Sequence, residues 1–275
     1  MTSPLPMQGP GRWARTATAL AHPLRTAREM LDDGPVMVLV ILFVLNGVDE
    51  LTRTAFGVLA PDIADDFGVG LAGIFTVLAL VAAVALGLQV PIANLADRHN
   101  RVRLAALGGV IMAVFSTLVG FSPGLWILGI TMAATGLGKS FIDPTHNSLL
   151  ADHFSPDVRA RVFAFHRAAN SVGQFVGPLV AGFLAYYFSW RVPFIIFGPI
   201  ILVAALAALL IKEPIRGRFE REAAGATGDV AATEEPPPSM AESWRMCWKV
   251  DSLRRIYRTL PFLAPAIVGF VSFAS

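Results

Sequence analysis

The chain has 275 residues, 55% of them hydrophobic and 15% charged, with a mean hydropathy of +0.60. Soluble domains carry about 25% charged residues, so the deficit excludes a large soluble core and points to a polytopic membrane protein. A net charge of +2, with the arginines gathered in loops, gives no case for nucleic-acid binding, and the single cysteine, Cys247, excludes an internal disulfide framework or a cysteine-rich metal site.

Residues 1–34 carry Arg12, Arg15, Arg25 and Arg28 among scattered Pro and Gly. Without an apolar stretch ending in a small-residue cleavage site, they read as a cytoplasmic tail, with a short amphipathic helix near 13–31. The first span, 36–60, opens with the apolar run VMVLVILFVL and continues NGVDELTRTAFGVLA. Asp49, Glu50 and Arg53 would each cost about 2.5–3.5 kcal/mol at the centre of a bilayer helix. At 100° per residue they share an arc of about 100° with Asn46 and Gly57, which makes one inward polar stripe. The alternative is an Asp49–Arg53 pair at i,i+4 that only holds the helix in its bundle.

Asp62, Asp65 and Asp66 suit an external loop, and the second span covers 69–92. ANLADRHNRVR, residues 93–103, follows between two apolar runs, with three arginines against one aspartate. Cytoplasmic loops retain Lys and Arg, so this loop sets the orientation of the whole chain. The third span, 104–121, has no charge and is expected to face lipid. Ser122-Pro123-Gly124 turns the chain outside.

The fourth span, 125–150, mirrors the first. Lys139, Asp143, His146 and Asn147 share one arc, and Pro144 is expected to break the helix and free a carbonyl toward a cavity. TGLGKSFIDP aligns with NGVDELTRTA, placing Gly136 on Gly47 and Lys139 on Glu50. Opposite charges at equivalent depths suggest two halves of an inverted repeat, three helices plus three. Asp152, His153, Asp157, Arg159 and Arg161 form the next cytoplasmic loop. In the fifth span, 162–188, His166, Arg167, Asn170 and Gln174 share a face, and GQFVGPLVAG places Gly173, Gly177, Pro178, Ala181 and Gly182 for close helix packing. Tyr186, Tyr187, Trp190 and Trp126 read as an interfacial belt. The sixth span, 192–211, is apolar.

Residues 212–258 are charged and then low in complexity, a partly disordered cytoplasmic linker in which WRMCWKVDSLRRIYR is a surface helix or a plain linker helix. A seventh apolar run, 259–275, is shorter than the roughly 20 residues a span needs.

This pattern resembles the major facilitator superfamily over 36–275. ANLADRHNRVR is similar to the family's loop between helices two and three, written G-x-L-A-D-R-x-G-R-K-R. Leu95, Ala96, Asp97, Arg98, Arg101 and Arg103 match, while Ala93, Asn100 and Val102 replace two glycines and a lysine. GQFVGPLVAG resembles the fifth-helix motif associated with antiporters, with Ala181 where a glycine is common. Arg159, SWRVPF around Trp190 and Arg191, and KEP at 212–214 fit as well. NGVDELTRTAFGVLAPDI, LADRHNR and GLGKSFIDPTHNSLLADHF look most like spinster-like transporters, although Lys139 stands where those usually carry an acid and Met132 where they often carry an arginine.

The resemblance implies an all-α fold of twelve helices in two six-helix bundles around a central site that opens alternately to each side. This chain would supply the N-terminal bundle and part of helix seven, with the C-terminal bundle, the bilayer and a small organic solute as its partners. It would lie in the cytoplasmic membrane with its N-terminus inside. Asp97, with Arg98, Arg101 and Arg103, would pair with a helix end to hold one gating state. Asn46, Asp49, Glu50, Arg53, Lys139, Asp143, His146, Asn147, Asn170 and Gln174 would line a substrate or proton cavity. A Glu50–Lys139 pair is the first candidate for proton coupling, with Asp143 and His146 as fallback carriers. The alternative is a membrane scaffold or regulatory fragment without transport. No metal site or cofactor is expected, and no Ser/His/Asp set, HExxH or phosphate-binding loop points to an enzyme.

Overall fold

The computed structural model describes residues 34–223, together with Leu31, Gly225 and 239–247. The expected N-terminal tail, most of the linker and the partial seventh helix lie outside the described residues. Six long helices make the body: α1 (Val36–Phe67), α2 (Leu71–Arg98), α3 (Arg101–Val119), α4 (Leu125–His153), α5 (Pro156–Tyr187) and α6 (Arg191–Ala208). Two short ones follow, α7 (Arg218–Ala223) and α8 (Met240–Cys247). At 1.5 Å per residue, the 18 residues of α6 reach about 27 Å and the 32 of α1 about 48 Å. Among the described residues α3, α4, α5 and α6 are long and apolar enough to cross a membrane. The chain is a multi-pass membrane protein. The three mid-helix charges of α1 set it apart from these four.

Pairing of the helices follows a two-fold logic. The closest neighbours are α1 with α5, α2 with α4, α3 with α4 and α3 with α6, followed by α1 with α6. Exchanging the first three helices for the last three maps α1–α5 onto α4–α2 and α3–α4 onto α6–α1. This is the arrangement expected of a three-plus-three repeat.

Several boundaries differ from the reading of the sequence. The 93–103 segment is mostly helix: α2 runs to Arg98 and α3 starts at Arg101. Asn100 caps α3 by accepting a hydrogen bond from the Arg103 N–H (2.8 Å). The aspartates at 62, 65 and 66 belong to the last turns of α1, which stops at Gly68 in the left-handed conformation (φ 62°). Pro144 lies inside an unbroken α4.

The third span does not simply face lipid. α3 buries Ala105, Gly108, Gly109, Met112, Ala113, Ser116 and Val119 between α4 and α6, and turns Leu107, Val114 and Leu118 outward. It sits this close because it meets α4 through glycines: a Cβ on Gly108 would lie 2.6 Å from the Gly138 carbonyl oxygen. Small residues allow such backbone approach where helix pairs cannot rely on a hydrophobic driving force. Trp126, Tyr186 and Tyr187 are exposed at the end opposite the α2–α3 turn, but Trp190 is buried, edge-on to Phe67 and Phe194. It packs the core and is not part of an interfacial belt.

Candidate functional site

The polar stripes of α1 and α4 meet inside the bundle, with partners that the arcs alone do not assign. Lys139 of α4 donates to Asp49 of α1, and Asp143 stands 3.7 Å from the same ammonium. Glu50 faces the other way, toward α5. It accepts from Arg53 through Nε (3.1 Å) and Nη2, and from Gln174 Nε2 (2.9 Å). The expected Glu50–Lys139 pair and the alternative Asp49–Arg53 pair are therefore both replaced. Consecutive residues point 100° apart on a helix, so Asp49 and Glu50 address different neighbours. Both side chains are almost wholly buried, at 7% and 5% exposure, which in a membrane interior requires the cations they have.

Toward the α2–α3 end the same seam continues with amides, two imidazoles and one arginine. Asn46 donates to the His166 carbonyl (3.1 Å) and to Asn170 Oδ1. His146 and His166 stack edge to face, 5.5 Å between ring centres, both buried. Arg167 reaches Asn147 Oδ1 at 3.4 Å. Asn46, Glu50, His146, Asn147, Asn170 and Gln174 thus share a seam where α4 and α5 flank α1.

Glycines set the width of that seam. A Cβ on Gly173 would lie 2.6 Å from Glu50 Cβ and 2.8 Å from the Gly47 carbonyl oxygen. Gly177 would collide with Thr54, and Ala181 is buried one turn further on. Gly182 has no atom within 4 Å of the corresponding position, so it departs from the expected packing set. Pro178 is half-buried inside α5, beside the contact made by Gly177.

On the other side of α1 a recess of about 540 Å³ opens between α1, α2 and α4, with α3 and α6 as its floor. Asp49, Arg53 and Lys139 line it together with Thr52, Thr135 and Ser116, and Phe56, Leu78, Val119, Met132 and Phe194 make it largely apolar. Glu50, Asp143, His146, Asn147, Asn170 and Gln174 are not among its lining residues. The polar residues foreseen as one cavity are thus divided between this recess and the α1–α4–α5 seam.

The second charged centre lies at the α2–α3 end, and its hub is Arg101. Its side chain is 3% exposed and holds Asp152, Glu213 (2.7 Å), Ser148 (2.6 Å) and the Pro214 carbonyl (3.0 Å). Glu213 also accepts from the Val102 N–H (3.0 Å), and Asp152 from the Gly217 N–H (2.9 Å). Arg216 donates to the carbonyls of Ala96, Asp97 and His99 at the end of α2. Asp97 is exposed and joins this network through its backbone carbonyl, not through its carboxylate. Arg98 donates to Asn94, and Arg103 is exposed. Arg101 was among the expected gating residues, but its place as the hub and its pairing with Asp152 and Glu213 were not foreseen. The signal was present in KEP, where Glu213 is the first acid behind the sixth span.

The model of the Major Facilitator Superfamily matches residues 42–275. The chain belongs to this superfamily. Among relatives, it is 26% identical to the hexuronate transporter of Bacillus subtilis over 67% of this chain and 44% of that protein. It is 25% identical to protein spinster homolog 1 of Xenopus laevis over 68% of this chain and 36% of that one. The solved structure of a bacterial homologue of the human lysosomal transporter spinster, inward-facing and occupied, superposes with a TM-score of 0.58 at 25% identity, covering 67% of this chain and 46% of that one. The chain spans less than half the length of each of these proteins.

Proposed function

We propose that this chain is the N-terminal bundle of a secondary transporter that moves a small organic solute across the cytoplasmic membrane by alternating access, with its N-terminus in the cytoplasm. The observation that carries the reading is the buried Lys139–Asp49 pair beside the Glu50–Arg53–Gln174 cluster, deep among apolar helices. Intramembrane charges on this scale are expensive, and a solute or ion pathway is the usual reason for them. The membership in a transporter superfamily and the hexuronate and spinster relatives support the same reading.

A second six-helix bundle closes the site from the open face of α5, where Arg167, Gln174 and Phe175 are exposed. The Arg101 network braces one gating state by tying α2, α3 and α4 to the segment behind α6. Proton coupling runs through Asp49: a proton on its carboxyl would release Lys139. The test is uptake of a labelled hexuronate by the protein in proteoliposomes, with and without an imposed proton gradient. Saturable uptake that is lost in Asp49→Asn is expected. Gradient-independent uptake would remove proton coupling, and uptake undiminished in both Asp49→Asn and Lys139→Gln would remove the site.

A further inference from the structure

Five hydroxyl side chains are buried in the described bundle: Thr52, Ser116, Ser122, Thr131 and Thr145. Thr52, Thr131 and Thr145 donate to a carbonyl of their own helix, the usual recourse of Ser and Thr inside membrane helices, and Ser122, in the turn after α3, donates to the Leu118 carbonyl. Ser116 differs. Its side chain is fully buried, its hydroxyl has no partner, and it lines the floor of the recess between α1, α2 and α4. Buried polar groups without partners are rare in native proteins, and such a group at the floor of a cavity is placed to meet a ligand.

The opposite wall presents hydrogen-bond donors. Arg53 lines the recess, is 58% exposed and gives Nε and Nη2 to Glu50, so Nη1 lies outside that pair. Lys139 adds a second cation, against the single carboxylate of Asp49 among the lining residues. The apolar part of the lining is Phe56 and Phe194, rings tilted at 58° with centres 6.4 Å apart, and the side chains of Leu78, Val119 and Met132. The volume of about 540 Å³ falls within the roughly 300–1,000 Å³ typical of small-molecule sites.

The geometry points to a binding site in this recess for an organic monoanion with a ring-sized apolar body and a hydroxyl at its far end. The carboxylate meets Arg53, the body lies against Phe56 and Phe194, and the hydroxyl pairs with Ser116. With Nε and Nη2 held by Glu50, Nη1 is the nitrogen left to give a charge-assisted bond to the carboxylate. The hydroxyl requirement follows from pairing: an analogue without it leaves Ser116 unsatisfied in an apolar surround, the situation in which sites reject a ligand most strongly. This names a solute class for the transporter reading above and rests on it for its physiological meaning, whereas binding itself is measured without transport.

The probes are phenylacetate and 4-hydroxyphenylacetate, titrated by calorimetry into the protein in lipid nanodiscs. Wild type should prefer the hydroxylated acid by about tenfold or more. Ser116→Ala should bring the two acids to equal affinity by weakening only the hydroxylated one, and its melting temperature should not fall, since the hydroxyl has no protein partner to lose. Arg53→Gln should weaken both acids about equally, and 4-hydroxybenzyl alcohol, which lacks the carboxylate, should bind wild type no better than it binds Arg53→Gln. No binding of either acid at millimolar concentration, no preference in wild type, or a preference that survives Ser116→Ala each overturns the site. Uptake of the same acids into proteoliposomes separates the two levels. Binding without uptake would reject the transporter reading and leave the site standing, whereas uptake indifferent to Ser116 would reject the site alone.

Discussion

Replacing Arg101 with Gln is the most telling single perturbation. The substitution keeps a polar side chain of similar reach but removes the charge that Asp152 and Glu213 share. Asp152 is 7% exposed in its side chain and Glu213 25%, so neither carboxylate can recover its lost partner from water at little cost. Removing one member of a buried pair costs about 3–5 kcal/mol, mostly because the charge left behind stays buried. For a chain of this size that corresponds to a fall in apparent melting temperature of roughly 6–20 °C. Arg103→Gln, two residues away on an exposed position, should stay within about 0.5 kcal/mol of wild type. Thermal unfolding in a mild detergent, followed by circular dichroism, measures both. The double variant Arg101→Gln/Asp152→Asn should lose less than the sum of the single losses, with a coupling of about 1–3 kcal/mol. A fall below about 2 °C for Arg101→Gln, or additive losses in the double variant, would refute the assignment of Arg101 as the hub.

Lys139→Gln should destabilise more than Asp49→Asn in the same assay, by about 1–3 kcal/mol, because it strands a buried carboxylate whereas Lys139 is 32% exposed and keeps Asp143 nearby. Gly173→Ala should cost about 1–3 kcal/mol through overpacking against Glu50, while Gly182→Ala, in open space, should be neutral by the same measurement. Hydrogen bonds from Arg191 to Asp66 and from Arg159 to Glu220 hold these two carboxyls below the usual range. A depressed folded-state value means a contribution fully present at neutral pH and lost as the pH falls below the ordinary carboxylate value and through the lowered folded one. Arg159→Gln should therefore narrow the difference in melting temperature between pH 7 and pH 4, and an unchanged difference would show that the pair is inert.

Helix number, approximate spans and the polar faces of α1, α4 and α5 were legible because an apolar run long enough for a bilayer and a 100° periodicity are properties of a single segment. Partner choice was not, since it depends on how three helices are set against each other. Whether Lys139 meets Asp49 or Glu50 is a matter of 100° of azimuth on α1, and both residues lie within the arc that the sequence defines. The third span misled for a related reason. Absence of charge suits lipid and protein interior equally, and only the glycines at 108, 109 and 138 hinted that another backbone lay against it. Glu213 was quoted as part of KEP without a role, because nothing local ties it to Arg101, 112 residues earlier in the chain.

The opposed directions of Asp49 and Glu50 also limit how the bundle can move. One carboxylate is fastened to α4 and the next to α5, and α4 and α5 themselves meet only lightly. Any twist of α1 large enough to free one attachment drags the other off its partner, and a slip of one residue along the axis would turn the helix by 100° and unseat both at once. α1 is thus the keystone of this half. It carries α4 and α5 with it as one block, and bending or sliding is left to helices such as α2 that no buried charge ties to it.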